Sequence, residues 1–123
     1  DDYPFAAAEA RPALLALLGD ERLGRLWVVA DRERIVGYLA VTFGFSLEYR
    51  GRDAFIDELF LAPEARGLGL GREALGLAEE LCRAQGVRAL HLEVEPHREA
   101  AAELYRRSGF EDHERRLMTR MLL

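Results

Sequence analysis

The stretch AFIDELFLAPEARGLGLGREALGLAEELCRA, residues 54–84, decides the fold of this chain. Its first part, residues 54–61, is rich in aromatic and aliphatic side chains and predicts a β-strand. In residues 72–84 the apolar side chains recur at positions 74, 75, 78, 81 and 82, a helical spacing that ends at Gly86. The segment Arg66-Gly67-Leu68-Gly69-Leu70-Gly71, called the glycine turn below, connects the two elements.

The glycine turn has the composition of an anion-binding loop. Glycine lets the backbone approach a ligand closely and adopt positive φ angles. The first N–H groups of the following helix have no intrahelical acceptor, and together with the helix dipole they attract negative charge. Arg66 and Arg72, which flank the glycines, could add charge-assisted bonds to phosphate. The turn therefore predicts a site for a pyrophosphate.

Two common pyrophosphate motifs do not fit these residues. A P-loop needs Gly-Lys followed by Ser or Thr, and the sequence contains no lysine. The dinucleotide fingerprint needs a third glycine at a position that Arg72 occupies. A strand-to-helix connection without a ligand is the remaining alternative, but it does not require three alternating glycines.

The other elements are predicted from periodicity and turn residues. The strand–helix–strand order of residues 54–94 implies a parallel crossover, so the fold class is α+β with a mixed sheet flanked by helices. In the first half of the chain we expect a helix over 6–18 with Pro12 near its first turn, antiparallel strands over 25–30 and 35–43, and the strand over 54–61. In the second half we expect the helix over 72–84, a strand over 87–94, a helix opened by Pro96 and closed by Gly109, and one or two strands within 110–122.

Composition limits the classes of function. The 123 residues suit one domain, and the net charge of −5 argues against a nucleic-acid partner. No apolar run approaches the roughly 18 residues that cross a bilayer, so no membrane partner is expected. Cys82 is the only cysteine, which agrees with a cytoplasmic location. No metal is expected, because His91, His97 and His113 lack neighbours at ligand spacing.

Two motifs resemble the GNAT superfamily of acyl-CoA N-acyltransferases. Arg66, Gly69 and Gly71 match its first signature, and the preceding segment 58–63 is also similar. The second signature is matched by Leu104-Tyr105 and Gly109-Phe110, so the resemblance covers about residues 35–115. Two features depart from the family. Arg98 stands where an asparagine is frequent, and the usual first strand has no match. We expect a single N-acetyltransferase domain over residues 1–123 in which that strand is not accounted for.

The resemblance implies that acetyl-CoA is the acyl-donor substrate and that an amine is the acceptor. Main-chain groups of the strand would pair with the pantetheine arm, as an added strand does, and an amide near Leu61 would polarise the thioester carbonyl. Such domains often pair, so a homodimer is expected. The residues expected to bind the cofactor are Leu59, Phe60, Leu61, Arg66, Gly67, Leu68, Gly69, Leu70, Gly71, Arg72 and Arg98.

The chemistry needs a base, because deprotonating an alkylammonium at pH 7 costs roughly 4–5 kcal/mol at about 1.36 kcal/mol per pH unit. By resemblance Glu58 is the candidate, directly or through water, provided that burial or Asp57 strengthens it as a base. Glu93 and Glu95 are rival carboxylates, and a surface glutamate is the plain alternative.

Tyr105 would protonate the leaving thiolate, and a core tyrosine is its structural alternative. The predicted function is N-acetyl transfer by direct attack of the amine in a ternary complex. The alternatives are a catalytically silent module that binds CoA, and an acetyltransferase that acts on a protein amine.

Overall fold

The computed structural model describes residues 7–122, and its elements follow the predicted order as far as the last predicted helix. The described residues form two compact units, one that ends at Glu93 and one that begins at Val94, and each is described by itself. The elements are α1 (Ala7–Leu18), β1 (Gly24–Asp31), β2 (Arg34–Ser46), β3 (Gly51–Leu61), a 3-10 turn (Pro63–Ala65), α2 (Leu70–Ala84), β4 (Ala89–His91) and α3 (Glu99–Arg107).

The first unit contains a mixed sheet with strand order β1-β2-β3-β4. β1, β2 and β3 are antiparallel neighbours, and β4 runs parallel to β3 after the crossover through α2. The predicted hairpin is present, with Asp31 opposite Arg34 across a two-residue loop in which Arg32 has a φ of 60°. The α+β fold with a mixed sheet is therefore confirmed.

The core lies between α2 and one face of the sheet. Leu39 and Val41 of β2 are fully buried, and Leu75 and Ala78 supply the buried stripe of α2. The helix ends as predicted at Gly86, whose N–H donates to the Arg83 carbonyl while the Val87 N–H reaches the Cys82 carbonyl at 3.0 Å. This pattern is a Schellman motif, and the Cys82 side chain is buried near this end of the helix.

The α2 face of the sheet also carries an apolar groove of about 390 Å³ beside β1. Its walls are Trp27 and neighbouring residues of β1 on one side and Leu70, Ala74, Leu77 and Leu81 of α2 on the other. Neither Glu58 nor Tyr105 lines this groove, whereas Leu70, which is predicted to bind the cofactor, does.

Three details of the sequence prediction are wrong. Pro12 lies inside α1, as its sixth residue, rather than near the first turn. The strand predicted over 87–94 is only Ala89–His91, because β3 bulges beyond this point and the ladder ends. Residues 110–122 contain no strand: positions 111–116 are six consecutive charged or titratable residues, and Glu114 adopts a φ of 56° that interrupts extended backbone.

None of the helices in the described part of the chain combines the length and the apolar character that a bilayer span needs.

Candidate active site

A β-bulge in β3 sets the geometry of the site. Val41 pairs with Ile56, but the next residue of β2, Ala40, pairs with Glu58, so Asp57 is an extra residue. A one-residue shift moves every following side chain to the opposite face of a strand. Without the bulge Glu58 would lie opposite Leu39 in the core; with it, Glu58 lies on the face away from α2.

Beyond the bulge β3 has an open edge. Its pairing with β4 ends at Phe55 and His91, so within residues 7–93 the stretch 57–61 pairs only with β2. The Ala62 N–H donates to the Val36 carbonyl at 2.7 Å. Because main-chain groups alternate along a strand, those of Leu59 and Leu61 point to the open edge. This is the arrangement that an added strand or a pantetheine arm requires.

Phe60 differs from its two neighbours. Its main chain faces β2 by the same alternation, and its ring packs on that of Tyr38 with centroids 5.8 Å apart. Leu59 and Leu61 therefore offer main-chain groups to a ligand, whereas Phe60 contributes to the sheet face that carries Glu58.

The glycine turn leaves the start of α2 uncapped. Gly69 is the N-cap residue, with φ 80° and ψ 3°, and no side chain caps the helix. The first intrahelical bond runs from the Glu73 N–H to the Gly69 carbonyl at 3.1 Å. The N–H groups of Leu70, Gly71 and Arg72 consequently have no acceptor within the helix. Gly67 also has a positive φ, of 79°.

The space in front of this helix start is open. A Cβ atom built on Gly67 or Gly69 would meet no atom within 4 Å. A Cβ on Gly71 would lie 3.4 Å from the Leu61 side chain, which is an ordinary van der Waals contact, so the start of α2 lies beside the end of β3. The residues therefore fit a diphosphate. The unpaired N–H donors of the helix N-terminus lie beside the open space at Gly67 and Gly69, called the cradle below, which a side chain at either position would enter.

Exposed arginines flank this cradle. The Arg66 Nε–H donates to the Leu61 carbonyl at 3.1 Å, which ties the guanidinium to the end of β3. Neither Arg66 nor Arg72 is in an ion pair with any described carboxylate. Leu68 is exposed at the tip of the turn. Both guanidinium groups therefore keep donors for an anion at the turn.

Glu58 is exposed and receives a hydrogen bond from the Tyr38 hydroxyl. The burial that the sequence argument asked for is not found, and Asp57 is exposed as well. Burial of the Tyr38 ring, the hydrogen bond and the charge of Glu58 together raise the pKa of Tyr38 to about 12. The hydroxyl thus stays protonated at neutral pH. Sequence reasoning missed Tyr38. In a register without the bulge Tyr38 lies opposite Leu59, and its side chain is then on the other face of the sheet from Glu58.

The same face carries a second acid that the sequence did not reveal. Asp53 is buried, and its Oδ2 lies 3.2 Å from the His91 Nε2. The His91 ring packs between Tyr49 and Phe55, at centroid distances of 5.1 and 4.8 Å. The pair ties β4 to β3 at the point where their ladder ends.

The rival carboxylates Glu93 and Glu95 are both exposed. Glu95 lies in the second unit, 3.2 Å from the imidazole of His97, whereas Glu93 is at the end of the first unit. Only Glu58 among the three candidates has a side-chain hydroxyl bound to it in the described residues.

The second unit contains Tyr105 and Arg98. Tyr105 is partly buried on α3, and burial raises its pKa while the charge of Arg98 opposes the shift. The Phe110 N–H donates to the Tyr105 carbonyl at 3.0 Å, and the two rings meet edge to face. With Gly109 at φ 98°, this is a Schellman motif. The spacing of the second signature therefore has a structural cause: it closes α3.

Arg98 is the N-cap residue of α3. Its N–H donates to the Glu95 carbonyl at 2.9 Å, and its carbonyl accepts the Ala102 N–H at 3.0 Å. Within residues 7–122 no three His, Cys, Asp or Glu side chains form a group that could hold a metal ion.

Comparisons with known proteins identify the family and the fold. The sequence profile of the Acetyltransferase (GNAT) family matches residues 1–110. The uncharacterised N-acetyltransferase YycN of Bacillus subtilis is 33% identical over 88 residues, which are 71% of this chain and 55% of that protein. The thialysine N-epsilon-acetyltransferase of Bos taurus is 30% identical over 78 residues, 63% of this chain and 45% of that protein. The chain thus spans about half the length of these relatives.

A solved structure matches the fold over nearly the whole chain. The integron cassette protein HFX_CASS3, from the mobile metagenome of Cole Harbour Salt Marsh, superposes with a TM-score of 0.87 and 40% identity, covering 98% of this chain and 74% of that one. The uncapped start of α2, the open edge of β3 and the family profile lead to one assignment. The chain belongs to the GNAT family of acetyltransferases.

Proposed function

We propose that this chain is a single N-acetyltransferase domain that transfers the acetyl group of acetyl-CoA to a primary amine. One observation supports this most: the start of α2 presents unpaired N–H groups to an open cradle at the end of a strand with a free edge. A coenzyme A molecule carries a diphosphate and an amide-bearing arm, and these are the groups that such a helix start and such an edge bind.

The residues proposed to hold the donor fall into two groups. The N–H groups of the glycine turn and of the first turn of α2 would bind the diphosphate, with Arg66 and Arg72 adding charge. The main-chain groups of Leu59 and Leu61 would bind the arm, and a main-chain N–H at this edge would stabilise the developing oxyanion. Arg98 stays a prediction as a phosphate ligand.

Glu58 is proposed as the general base. The acceptor ammonium loses two protons on its way to the amide. One leaves before the nitrogen attacks the thioester carbonyl and must be taken up by a base; the second leaves as the tetrahedral intermediate collapses and the C–S bond breaks, and it balances the proton that the thiolate takes up. Glu58 would accept the proton of the ammonium directly or through a water molecule, and its exposed side chain is accessible to an acceptor. Direct transfer in a ternary complex needs no acyl-enzyme. The buried Cys82, whose thiol pKa is raised by burial, is not a nucleophile in this proposal.

Tyr105 is proposed to protonate the leaving thiolate. We expect Tyr105→Phe to lower kcat on the order of tenfold to a hundredfold and to leave the melting temperature nearly unchanged, since the ring still packs on Phe110. The effect is modest because a thiol with a pKa of about 8.5 leaves readily as thiolate near neutral pH. Steady-state release of free thiol measures it, and the deficit should shrink above pH 9. Full activity at pH 7 would remove Tyr105 from the mechanism.

The acceptor is tested with a panel of primary amines. Small amines, diamines, amino acids and a lysine-containing peptide are each incubated with acetyl-CoA while free thiol is monitored. Amine-dependent release of thiol above the hydrolysis rate supports the proposed transfer, and the preferred amine separates small-molecule from protein acceptors. Tight binding of CoA without release from any amine would instead identify a silent binding module. The homodimer and the cytoplasmic location stay predictions.

A further inference from the structure

The hydroxyl of Tyr38 donates a hydrogen bond to Oε2 of Glu58 from the neighbouring strand. We propose that Tyr38 is a positioning residue, which holds the Glu58 carboxylate in the orientation that removes a proton from the acceptor amine. The inference rests on the proposed function, because it takes Glu58 as the base. It adds a residue that belongs to neither of the two signatures and lies on β2.

The ring of Tyr38 is itself fixed. Tyr38 is directly opposite Phe60 in the β2–β3 ladder, and the two rings pack with centroids 5.8 Å apart and planes inclined by 32°. Tyr38 therefore presents its hydroxyl from two paired strands rather than from a loop, which is the support a precise catalytic group needs.

Glu58, by contrast, has little else to hold it. Its side chain is exposed, and among residues 7–122 no cation forms an ion pair with it. An exposed glutamate samples several rotamers. The hydrogen bond to Tyr38 selects among them and uses one lone pair of one oxygen. An ionised carboxylate has about four acceptor sites, so Oε1 stays available to the amine or to a bridging water.

Tyr38 acts as a donor and not as a second base. Burial of the ring, followed by the hydrogen bond and the charge of Glu58, raises the pKa of Tyr38 to about 12. The hydroxyl therefore keeps its proton over the whole range in which an amine acetyltransferase would be assayed, and Tyr38 can orient the carboxylate at every such pH.

Tyr38→Phe tests this role because it removes the hydroxyl and keeps the ring on Phe60. We expect kcat to fall about tenfold, with the KM for acetyl-CoA and the Kd for CoA within about twofold of the wild type. In the Glu58→Gln background the same substitution should lower kcat by no more than about twofold, because the carboxylate that Tyr38 positions is no longer present. Steady-state thiol release, measured for the wild type, the two single variants and the double variant, completes this double-mutant cycle.

A second measurement detects the contact without activity. Glu58→Gln removes the charge and the strong acceptor that help to raise the pKa of Tyr38, so that pKa should fall from about 12, while burial still holds it above 10. Absorbance at 295 nm follows the ionisation of the tyrosines, and the titration step that is missing in Tyr38→Phe is the one that belongs to Tyr38. An unchanged Tyr38 titration in Glu58→Gln would overturn the proposal even if the activity measurements were obscured by poor folding.

The activities of these variants distinguish the role of Glu58 as the base from the role of Tyr38 as its positioning residue. Full activity in Glu58→Gln overturns the proposed base and the positioning role together. A large loss in Glu58→Gln, combined with full activity in Tyr38→Phe or with multiplied losses in the double variant, overturns the positioning role alone and leaves the base in place. Losses that do not multiply support both.

Discussion

Replacing Gly69 by aspartate is expected to weaken the binding of coenzyme A about 100-fold. The new carboxylate would occupy the open space in front of α2, where a Cβ atom meets no neighbour within 4 Å and where the diphosphate is proposed to bind. Two like charges about 5 Å apart repel by about 3 kcal/mol at an effective dielectric constant of about 20, which corresponds to roughly a hundredfold in affinity. Isothermal titration calorimetry measures the change.

Gly86→Asp is the matched control. Gly86 has nearly the same φ, 79° against 80° for Gly69, borders the same helix at its other end and is equally surrounded by open space. Aspartate tolerates this left-handed conformation better than most residues, so both variants should fold. We expect Gly86→Asp to bind CoA within about twofold of the wild type. Equal losses in the two variants would show that strain in α2, and not the anion site, causes the effect.

Glu58→Gln is expected to lower kcat by about 100-fold or more, the usual contribution of a general base, without changing the Kd for CoA. The deficit should shrink as the pH approaches 10, because an alkylammonium with a pKa of about 10.4 then loses its proton to solvent. Rates of thiol release between pH 7 and 10, at saturating acceptor, give this profile.

Three other glutamates serve as comparisons for Glu58. Glu79 pairs with Arg83 on the exposed surface of α2, so Glu79→Gln should keep full activity. Glu93→Gln and Glu95→Gln test the rival carboxylates. Near-normal kcat in Glu58→Gln, with a large loss in either rival variant, would move the base to that residue.

The fold was predictable from the sequence because its signals are local and repeated. The apolar spacing in residues 72–84 defined α2, and the alternating glycines before it placed the uncapped helix start. The hairpin of β1 and β2 followed from two β-rich runs around a polar turn. Residues 110–122 were predicted wrongly because a short apolar run at the chain end resembles a strand, whether or not a neighbouring strand is there to pair with it.

The face of Glu58 was not predictable, because it depends on one extra residue in β3. The register of the hairpin that joins β2 and β3 would place Glu58 opposite the buried Leu39. The bulge at Asp57 moves Glu58 to the face away from α2 and brings the Tyr38 hydroxyl to it. No residue type marks this bulge: neither a glycine nor a proline stands there. The sequence left both a buried and a surface Glu58 open, and in the structure the side chain is exposed.

The second signature illustrates a different limit. Gly109 and Phe110 follow Tyr105 at the spacing of a Schellman motif, so helix closure alone explains their register. The register therefore adds less support for a catalytic Tyr105 than the sequence suggested. The Tyr105→Phe variant keeps this packing, so its kcat tests whether the Tyr105 hydroxyl takes part in catalysis.

The unpaired N–H groups at the start of α2 are proposed to hold the diphosphate of coenzyme A. Calorimetric titration of the wild-type protein with coenzyme A and, in parallel, with pantetheine tests it most directly, since pantetheine has the arm but no diphosphate. We expect coenzyme A to bind at least about 100-fold more tightly than pantetheine, a difference of about 2.8 kcal/mol. The absence of coenzyme A binding at millimolar concentration, or equal affinity for the two compounds, would contradict the account.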